Sequence, residues 1–576
     1  MAFTKNYSRH SAGECGVRVL GARISEAGDS AVVCGIDVQS VSTPAVDVNA
    51  RAIAVAATVR QRSIAGVRDV VSTFRSVTVF FEPLKTDVSE VTAALRDGMT
   101  ASLPDASSKT IDVPVMYGGD DGPDLVEVAA FARCSPETVI TRHAERTYRV
   151  CMLGFMPGFP YMAPVDETIA MPRLKTPRVR VPAGSVGIAG IQTGIYPKQS
   201  PGGWRIIGRT APNLFDPDRS SPALFSPGDR VRFVPADAVA DFGFSRTETS
   251  STPKTTATRY VRVLQPGLLT TVQDAGRWSH QHLGVSVAGP MDYLGHRLAN
   301  ALVGNGEQAA TLETTWLGPE LKMEQETRVA VAGADLGATL DGVDVPVGMP
   351  MHCHAGSVLR FGDRRSGMRA YIAFDGGIVV PPVLGSCATH LSSGLGGMGG
   401  RQLTVGDCLP LGDPGGEVSP QFIDSSVARF GASAAHPMQS AGGVRLRVLP
   451  GPEMTRSDLS ALEALQRMRY TVSPESNRMG YRLTGGAKIP GVSSGDMISE
   501  ATFVGAIQLP PSGDPILLMA DRQTSGGYPQ IAIVITADLP LAGQLGPGDW
   551  IEFETCSRID AIAALRDMDE ALGAAG

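Results

Sequence analysis

Residues 154 to 210 hold glycine, proline and arginine at a density far above what a packed core needs. Glycine allows close backbone approach and proline stiffens turns. Arginine supplies a permanently charged fork of donors suited to carboxylate or phosphate. The segment therefore predicts a rigid, loop-built anion site whose arginines are Arg173, Arg178, Arg180, Arg205 and Arg209.

A short strand, RVRVP, lies inside this segment. Alternation along a strand predicts that Arg178 and Arg180 share one face. Two interpretations remain open: an arginine clamp for a substrate anion, or a solvated edge strand whose charges deter aggregation. Amide, hydroxyl and ring groups that suit a small planar amide or ureido substrate follow at Gln192, Thr193, Tyr196, Ser200 and Trp204.

A second cluster combines Asp274 with Arg277, in the sequence QDAGR. Asp274 could act as a base or Mg²⁺ ligand and Arg277 could bind an oxyanion, so both are candidate catalytic residues. An Asp between turns can equally form an Asx-turn. Asp292, at the start of a helical pattern, is interpreted as an N-cap.

A third cluster follows the apolar strand ILLMA, where Asp521, Arg522 and Gln523 are candidate catalytic residues and Asp521 could also bind Mg²⁺. The candidate substrate-binding residues around them are Arg478, Tyr481, Arg482, Thr524 and Tyr528. The alternative for Asp521 is an internal ion pair with Arg478 or Arg482. The Gln-Thr pair of this cluster echoes Gln192-Thr193, which suggests duplicated supersecondary structure.

The elements that must position these residues are mostly strands. Short apolar runs such as SVTVFFEP, RAYIAFDG and IAIVIT are separated by Gly/Pro turns. Helical spacing occurs at 124–132, 292–303 and 457–469, with Asp124, Asp292 and Ser457 as predicted N-caps. The helix-like stretch VNARAIAVAATVRQR before SVTVFFEP predicts an α+β N-terminal unit.

Composition narrows the class of protein. With 576 residues, two or more domains are expected. The net charge of −7 and the lack of a dense basic block argue against a nucleic-acid partner. No apolar run is long enough to span a membrane, and the N-terminus lacks a signal-peptide core, so a cytoplasmic location is expected. His352-Cys353-His354 has no second ligand pair, so no metal site is predicted.

Two motifs are absent from the sequence, and each absence bears on one kind of cofactor site. There is no GxxxxGK[ST] loop, so any ATP site is not of the Walker type. There is no Met-Lys-Met tripeptide, so no biotin is expected to be attached to this chain.

Long stretches resemble a known family. GFMPGFPYMAPVDETIAMPRLKTPRVRVPAGSVGIAGIQTGIYPKQSPGGWRIIGRT is similar to allophanate hydrolase subunit 1, which is also the B subunit of prokaryotic 5-oxoprolinase. Three later stretches resemble subunit 2, which is also the oxoprolinase C subunit: VLQPGLLTTVQDAGRWSHQHLGVSVAGPMDYLGHRLANALVGN, SNRMGYRLTGG and GAIQLPPSGDPILLMADRQTSGGYP. The resemblance implies a mainly β fold with α+β parts: a small α+β N-terminal unit and cyclophilin-like β-barrels in both halves.

Domain boundaries follow from this resemblance and from composition. We expect an α+β unit at 1–105, a barrel at 106–244 and a Ser/Thr/Pro-rich linker at 245–258. The second half is expected to contain a first unit at 259–435 and a cyclophilin-like unit at 444–560.

The resemblance implies fused B and C subunits of an ATP-dependent 5-oxoprolinase. Such an enzyme would use ATP with Mg²⁺ and open a lactam or amide ring together with a separate oxoprolinase A subunit. One alternative is a carboxyltransferase for urea or a related amide, with carboxybiotin on a partner chain. Another is a kinase-inhibitor-type binding protein. A homo-oligomer is possible in each case.

Overall fold

The computed structural model describes most of the chain, namely residues 21–37, 45–103, 109–238, 241–243, 258–416, 418, 442–452, 459–486, 488–489 and 499–573. Residues 245–257 of the predicted linker lie outside the described residues, as does Ser457. The predicted domain boundaries stay predictions.

The N-terminal unit is a four-stranded antiparallel sheet with two helices packed on one face. The strands lie in the order Ala22–Ala27, Ala31–Ile36, Ser76–Phe81 and Val67–Ser72. The helices, Ala45–Gln61 and Val88–Thr100, bury Val55, Val91 and Leu95 against the β-branched residues of the sheet. Asp87 caps the second helix by accepting a hydrogen bond from Ser89 N at 2.8 Å. This is the α+β unit that the sequence predicts.

The first half continues into a closed seven-stranded barrel. Its strands, in chain order, are Thr110–Tyr117, Thr147–Leu153, Pro160–Ala163, Ser185–Ala189, Gln192–Ile195, Arg205–Arg209 and Arg230–Pro235. The helices Leu125–Ala132 and Pro136–Ala144 and the 3₁₀ turn Glu167–Ile169 pack against it. Two short pairs lie outside the barrel: Arg178–Val181 with Ser200–Gly202, and Ala211–Asn213 with Asp241–Gly243.

Two facing sheets form the first unit of the second half. The six-stranded sheet has the order Val343–Asp344, Ala338–Leu340, Val358–Phe361, Glu320–Met323, Arg259–Gln265 and Cys408–Leu411. The five-stranded sheet has the order Leu269–Gln273, Thr311–Thr315, Ser366–Phe374, Thr327–Asp335 and Pro350–Cys353. Apolar residues of both sheets share one core. The helix Tyr293–Leu302 packs on the outer face of the five-stranded sheet.

A second closed barrel of seven strands ends the fold. Its strands are Gly443–Pro450, Tyr470–Val472, Gly480–Thr484, Ala506–Gln508, Ile516–Leu518, Gln530–Val534 and Trp550–Thr555. Glu500–Ala501 pairs with Ser525–Gly526 beside it. The associated helical segments are Leu459–Gln466, Thr536–Asp538, Leu539–Gly543 and Arg558–Gly573. A mainly β fold with a barrel in each half is therefore confirmed.

The N-terminal unit packs against the barrel at the opposite end of the chain. Asp29 accepts hydrogen bonds from Thr536 N at 2.9 Å and from its hydroxyl at 2.6 Å. The Phe80 and Phe503 rings lie 5.5 Å apart in a shared apolar cluster. The two halves are thus joined by a buried interface as well as by the chain.

In the part of the chain that the structure describes, helices are too short or too polar to cross a membrane.

Candidate functional site

Loops of both halves meet at one place, which we call the loop junction and define as residues 154–158, 276–289, 383–397 and 519–526. Phe155 N donates to Ser525 Oγ at 2.9 Å, and Gly158 N donates to Leu283 O at 2.9 Å. Gly284 has φ +80°, and an added Cβ would collide with the carbonyl of Met156. Glycine at 284 is therefore required for the contact between halves.

The loop junction concentrates strained backbone. Phe155, Ser279, Ala288 and Leu384 have φ values of 65°, 69°, 55° and 52°. Non-glycine residues rarely adopt this region, and where they do the surrounding structure must hold them. Such strain is frequent at functional sites, and here it occurs in loops from both halves.

Two predicted catalytic arginines lie buried in the junction. Arg277 donates to three carbonyl oxygens: Val383 O at 2.7 Å, Ser386 O at 3.2 Å and Ala388 O at 2.7 Å. Burial lowers its pKa, which the charges of Asp274 and Cys387 partly oppose. Its Nη1 is buried without a hydrogen-bond partner among the described residues.

Arg522 repeats this pattern. Its Nε donates to Thr502 O at 3.2 Å and its Nη2 to Gln281 Oε1 at 2.7 Å, both neutral acceptors. Burial lowers its pKa to about 10. Its Nη1 is also buried without a partner in the described ranges. The junction thus holds two buried guanidinium groups, and each has one N–H group that the described residues leave unpaired.

Asp274 is fully engaged with the segment that follows Val383. Its carboxylate accepts hydrogen bonds from Ser386 Oγ at 2.6 Å, from Cys387 N, and from Gly276 N at 3.0 Å. The Gly276 contact is the Asx-type turn that the sequence allowed. In this geometry Asp274 orients the loop around Arg277.

Asp521 forms the ion pair that the sequence offered as its alternative. Arg478 donates to both Asp521 oxygens, at 2.8 and 3.1 Å, and its Nη1 pairs with Glu313. Burial alone would lower the Arg478 pKa, but Asp521 and Glu313 together raise it above its ordinary value. Glu313 also accepts from Tyr371 Oη at 2.7 Å. Arg482, by contrast, lies at the surface near Glu475.

The carboxylates suggested for Mg²⁺ do not fit a metal site. The oxygens of Asp274 and Asp521 are directed at protein donors. Across the described ranges, no three His, Cys, Asp or Glu side chains gather as metal ligands would. In this geometry neither Asp274 nor Asp521 is free to hold a nucleotide-bound Mg²⁺.

The contacts of the arginine strand are with its own half. Arg178 donates to Asp124 Oδ1 at 2.6 Å, and Asp124 Oδ2 accepts from Ile206 N at 2.6 Å. Arg180 donates to the Gln199 amide. Arg178 therefore holds the helix that begins after Asp124 against the barrel, and the anion-clamp role stays a prediction.

Residues 192 to 204 mostly form barrel interior. Thr193 Oγ1 contacts His143 Nε2 at 3.0 Å, and His143 Nδ1 contacts Tyr117 Oη at 2.8 Å. Tyr196 and Trp204 are buried in an aromatic cluster against which Phe155 packs. These two rings support the 154–158 loop from beneath. Gln192 is buried as well, whereas Ser200 Oγ lies near the surface and donates to Pro201 O at 3.1 Å.

Some of the remaining predicted residues lie in the loop junction, and the others lie elsewhere in the fold. Gln523 O accepts from Thr502 Oγ1, and the buried Thr524 Oγ1 has no partner among the described residues. Tyr481 is buried and contacts Arg369 Nη1 at 2.9 Å. Tyr528 is exposed.

Both halves of the chain are similar to known proteins. Residues 22–225 match the model described as carboxyltransferase domain, subdomain C and D, and residues 283–555 match carboxyltransferase domain, subdomain A and B. The chain is 38% identical over 308 residues to the 5-oxoprolinase C subunit of Escherichia coli, covering 54% of this chain and 95% of that protein. It is 38% identical over 231 residues to the 5-oxoprolinase B subunit of Bacillus subtilis, covering 37% of this chain and 92% of that protein.

This chain belongs to the family of the 5-oxoprolinase B and C subunits. The crystal structure of TTHA0988 superposes with a TM-score of 0.77 at 35% identity and covers 91% of this chain and 99% of that one. Urea amidolyase of Saccharomyces cerevisiae is 32% identical over 326 residues, covering 54% of this chain and 17% of that protein. The B-like half therefore precedes the C-like half in one polypeptide.

Some residues through which the two family halves touch were not predicted from the sequence. Lys198 of the B-like half donates to Ser393 O of the C-like half at 2.6 Å. His390 is buried between Ser392 and Ser393, and burial lowers its pKa. The signal that could have found this loop is the run GLGGMGG, because glycines with positive φ at 394, 396, 397, 399 and 400 fold it tightly.

Proposed function

We propose that this chain supplies the B and C components of an ATP-dependent 5-oxoprolinase-type enzyme. In this role it activates a lactam or amide carbonyl for ring opening, together with a separate A subunit. The observation that carries the proposal is the loop junction, where the Phe155 amide of the B-like half binds the Ser525 hydroxyl of the C-like half. One chain thus holds both family members assembled around shared loops.

The junction has donors suited to the chemistry. When a lactam carbonyl is attacked, negative charge grows on its oxygen, and fixed donors in a water-poor site stabilise that charge by several kcal/mol. Arg277 keeps an Nη1 donor that the described protein groups do not use. Because three carbonyl oxygens hold the rest of its guanidinium, this donor needs little reorganisation.

We assign the ATP and Mg²⁺ site to the A subunit or to its interface with this chain. Asp274 and Asp521 are the carboxylates that sequence reasoning linked to Mg²⁺, and protein donors already occupy both. The chain's own contribution is then to bind the ring and to stabilise the oxyanion.

The test is an activity assay with purified components. ATP hydrolysis should depend on 5-oxoproline, on this chain and on a candidate A subunit, all three together. Arg277→Lys, which keeps the charge but loses the fork, should reduce turnover at least tenfold. The surface variant Arg232→Gln should behave as the parent, because that arginine only pairs with the exposed Asp112. Turnover that persists without this chain would contradict the proposal.

The family models favour one second candidate, a biotin-dependent carboxyltransferase. Both halves match carboxyltransferase subdomains, and the C-like half is similar to part of urea amidolyase. In that case the chain should discharge free carboxybiotin in the presence of urea or a related amide, without ATP. If neither assay shows activity with any combination of components, the result would favour the kinase-inhibitor-type binding protein.

A further inference from the structure

A cavity of about 360 Å³ lies where the N-terminal unit, the two-sheet unit and the last barrel meet. This volume is within the range of small-molecule sites, roughly 300 to 1,000 Å³. Its apolar wall comes from all three units and includes Phe80, Phe81, Trp278, Met291, Phe503 and Met519. The loop junction borders it, because Val287, Ala288 and Ala520 also line it.

Three of the cations that line the cavity already have carboxylate partners. Arg68 stacks over the Trp278 ring at 4.8 Å and pairs with Glu82 at 3.4 Å. Lys85 pairs with the same carboxylate at 2.8 Å. Arg297 pairs with Asp569 at 2.9 Å. Each of these three cations therefore already contacts a carboxylate of the protein.

Arg522 differs from those three. It lines the cavity, it is only 2% exposed, and its hydrogen bonds to described residues go to a carbonyl and a side-chain amide. Its Nη1 has no partner among those residues. A buried charge that is hydrogen-bonded only to neutral groups is costly, and an incoming carboxylate would offset that cost.

We propose that this cavity binds the ring substrate, with a substrate carboxylate paired to Arg522 and the ring against the Trp278 wall. The proposal rests on the proposed function and deepens it, since 5-oxoproline is a small lactam with one carboxylate. Its neutral counterpart, 2-pyrrolidinone, has the same ring without that charge. Recognition by Arg522 therefore predicts discrimination between the two compounds.

Binding is measured by calorimetry on the full chain, without ATP or the A subunit. The parent should bind 5-oxoproline at least tenfold more tightly than 2-pyrrolidinone, as expected for a charge-assisted hydrogen bond. Arg522→Gln should lose that preference, and Arg522→Lys should retain part of it. Arg232→Gln is the surface control and should match the parent.

Two further measurements show whether the ligand binds in this cavity and whether each variant is folded. Tryptophan fluorescence should change on binding in the parent and not in Trp278→Phe, which assigns the ligand to this cavity. Circular dichroism establishes that each variant is folded, and Arg522→Lys replaces Arg522→Gln if the latter is not. Equal affinity of the parent for the two rings, no saturable binding, or unchanged discrimination in both Arg522 variants would overturn the proposal.

The outcome is separable from that of the activity assay. Turnover in the presence of the A subunit, combined with unchanged discrimination in the Arg522 variants, would leave the proposed function standing and remove the cavity site. Carboxylate-selective binding without any turnover would support the cavity site and count against the proposed function.

Discussion

At the scale of single residues, the Arg478 cluster is where one substitution should cost the most stability. Arg478 is buried between Asp521 and Glu313, both of which are buried as well. Arg478→Gln leaves two carboxylates without their cation, and breaking a buried pair typically costs about 3–5 kcal/mol. We expect the free energy of unfolding to fall by that amount in a urea titration. Arg482→Gln, four residues away and exposed, should change it by less than about 0.5 kcal/mol.

Asp521→Asn separates the structural role of this carboxylate from its predicted catalytic role. The contacts favour structure, so the variant should be destabilised by about 3 kcal/mol while its folded fraction retains turnover. Turnover is measured per folded molecule, at a temperature well below the melting transition. A hundredfold loss of turnover with unchanged stability would instead assign Asp521 to catalysis.

The buried His143 predicts a pH dependence of stability. Burial lowers its pKa to about 3, whereas an unfolded histidine titrates near 6.5. Between these values the unfolded state binds a proton that the folded state does not, so stability falls as the pH falls below about 6.5. The contribution is about 1.4 kcal/mol per pH unit. His143→Gln should remove it, so the difference between variant and parent in urea titrations should shrink from pH 7 to pH 5.

At the scale of elements, the contact between the 154–158 loop and the 281–286 segment can be tested through one glycine. Gly284→Ala introduces both a positive-φ strain and a collision with the Met156 carbonyl. Gly342→Ala at φ +85° introduces the strain alone, because an added Cβ there meets nothing within 4 Å. We expect the control to lose about 1–2 kcal/mol of stability and keep its activity. Gly284→Ala should lose more stability and also turnover; equal effects would mean that the loop contact is unimportant.

The elements themselves could largely be predicted from the sequence. The helices Leu125–Ala132, Tyr293–Leu302 and Leu459–Gln466 all lie within their predicted ranges. Asp292 caps its helix by accepting from Gly295 N at 2.8 Å, as predicted. Asp124 precedes its helix but makes no side-chain cap, because Arg178 and the Ile206 amide occupy its carboxylate. Local sequence patterns were enough to predict the helices. The role of Asp124, however, depends on Arg178, which is distant in sequence.

The site was less predictable, because burial depends on tertiary packing. Gln192-Thr193 lies inside a barrel strand, whereas the similar pair Gln523-Thr524 lies in the loop junction. Periodicity could not separate these positions. Likewise, nothing local indicates that Lys198 meets Ser393, which is 195 residues away. The sequence singled out Arg277 and Arg522 because each lies near a carboxylate or an amide, and their catalytic role stays a prediction.

At the scale of the whole molecule, the two halves should hold together without the covalent link. Glu500 accepts hydrogen bonds from Thr73 Oγ1 at 2.7 Å and from Ser76 Oγ, across the interface between the first unit and the last barrel. A chain cut at Thr255, in the predicted linker, should therefore yield fragments that co-purify and retain turnover. Glu500→Ala should weaken their association at least tenfold, and the exposed Glu463→Ala should not. Full activity in one isolated fragment would contradict a shared site.

The contact between Asp29 and Thr536 also determines when the first unit can complete its packing during synthesis of the chain. The two residues are 507 positions apart, and a ribosome adds about 5–20 residues per second. The first unit therefore waits roughly 25 to 100 seconds for its partner barrel to emerge. During that time Phe80 and its apolar neighbours face water, an aggregation hazard for the nascent chain. The unit that is translated first is thus among the last to be completed.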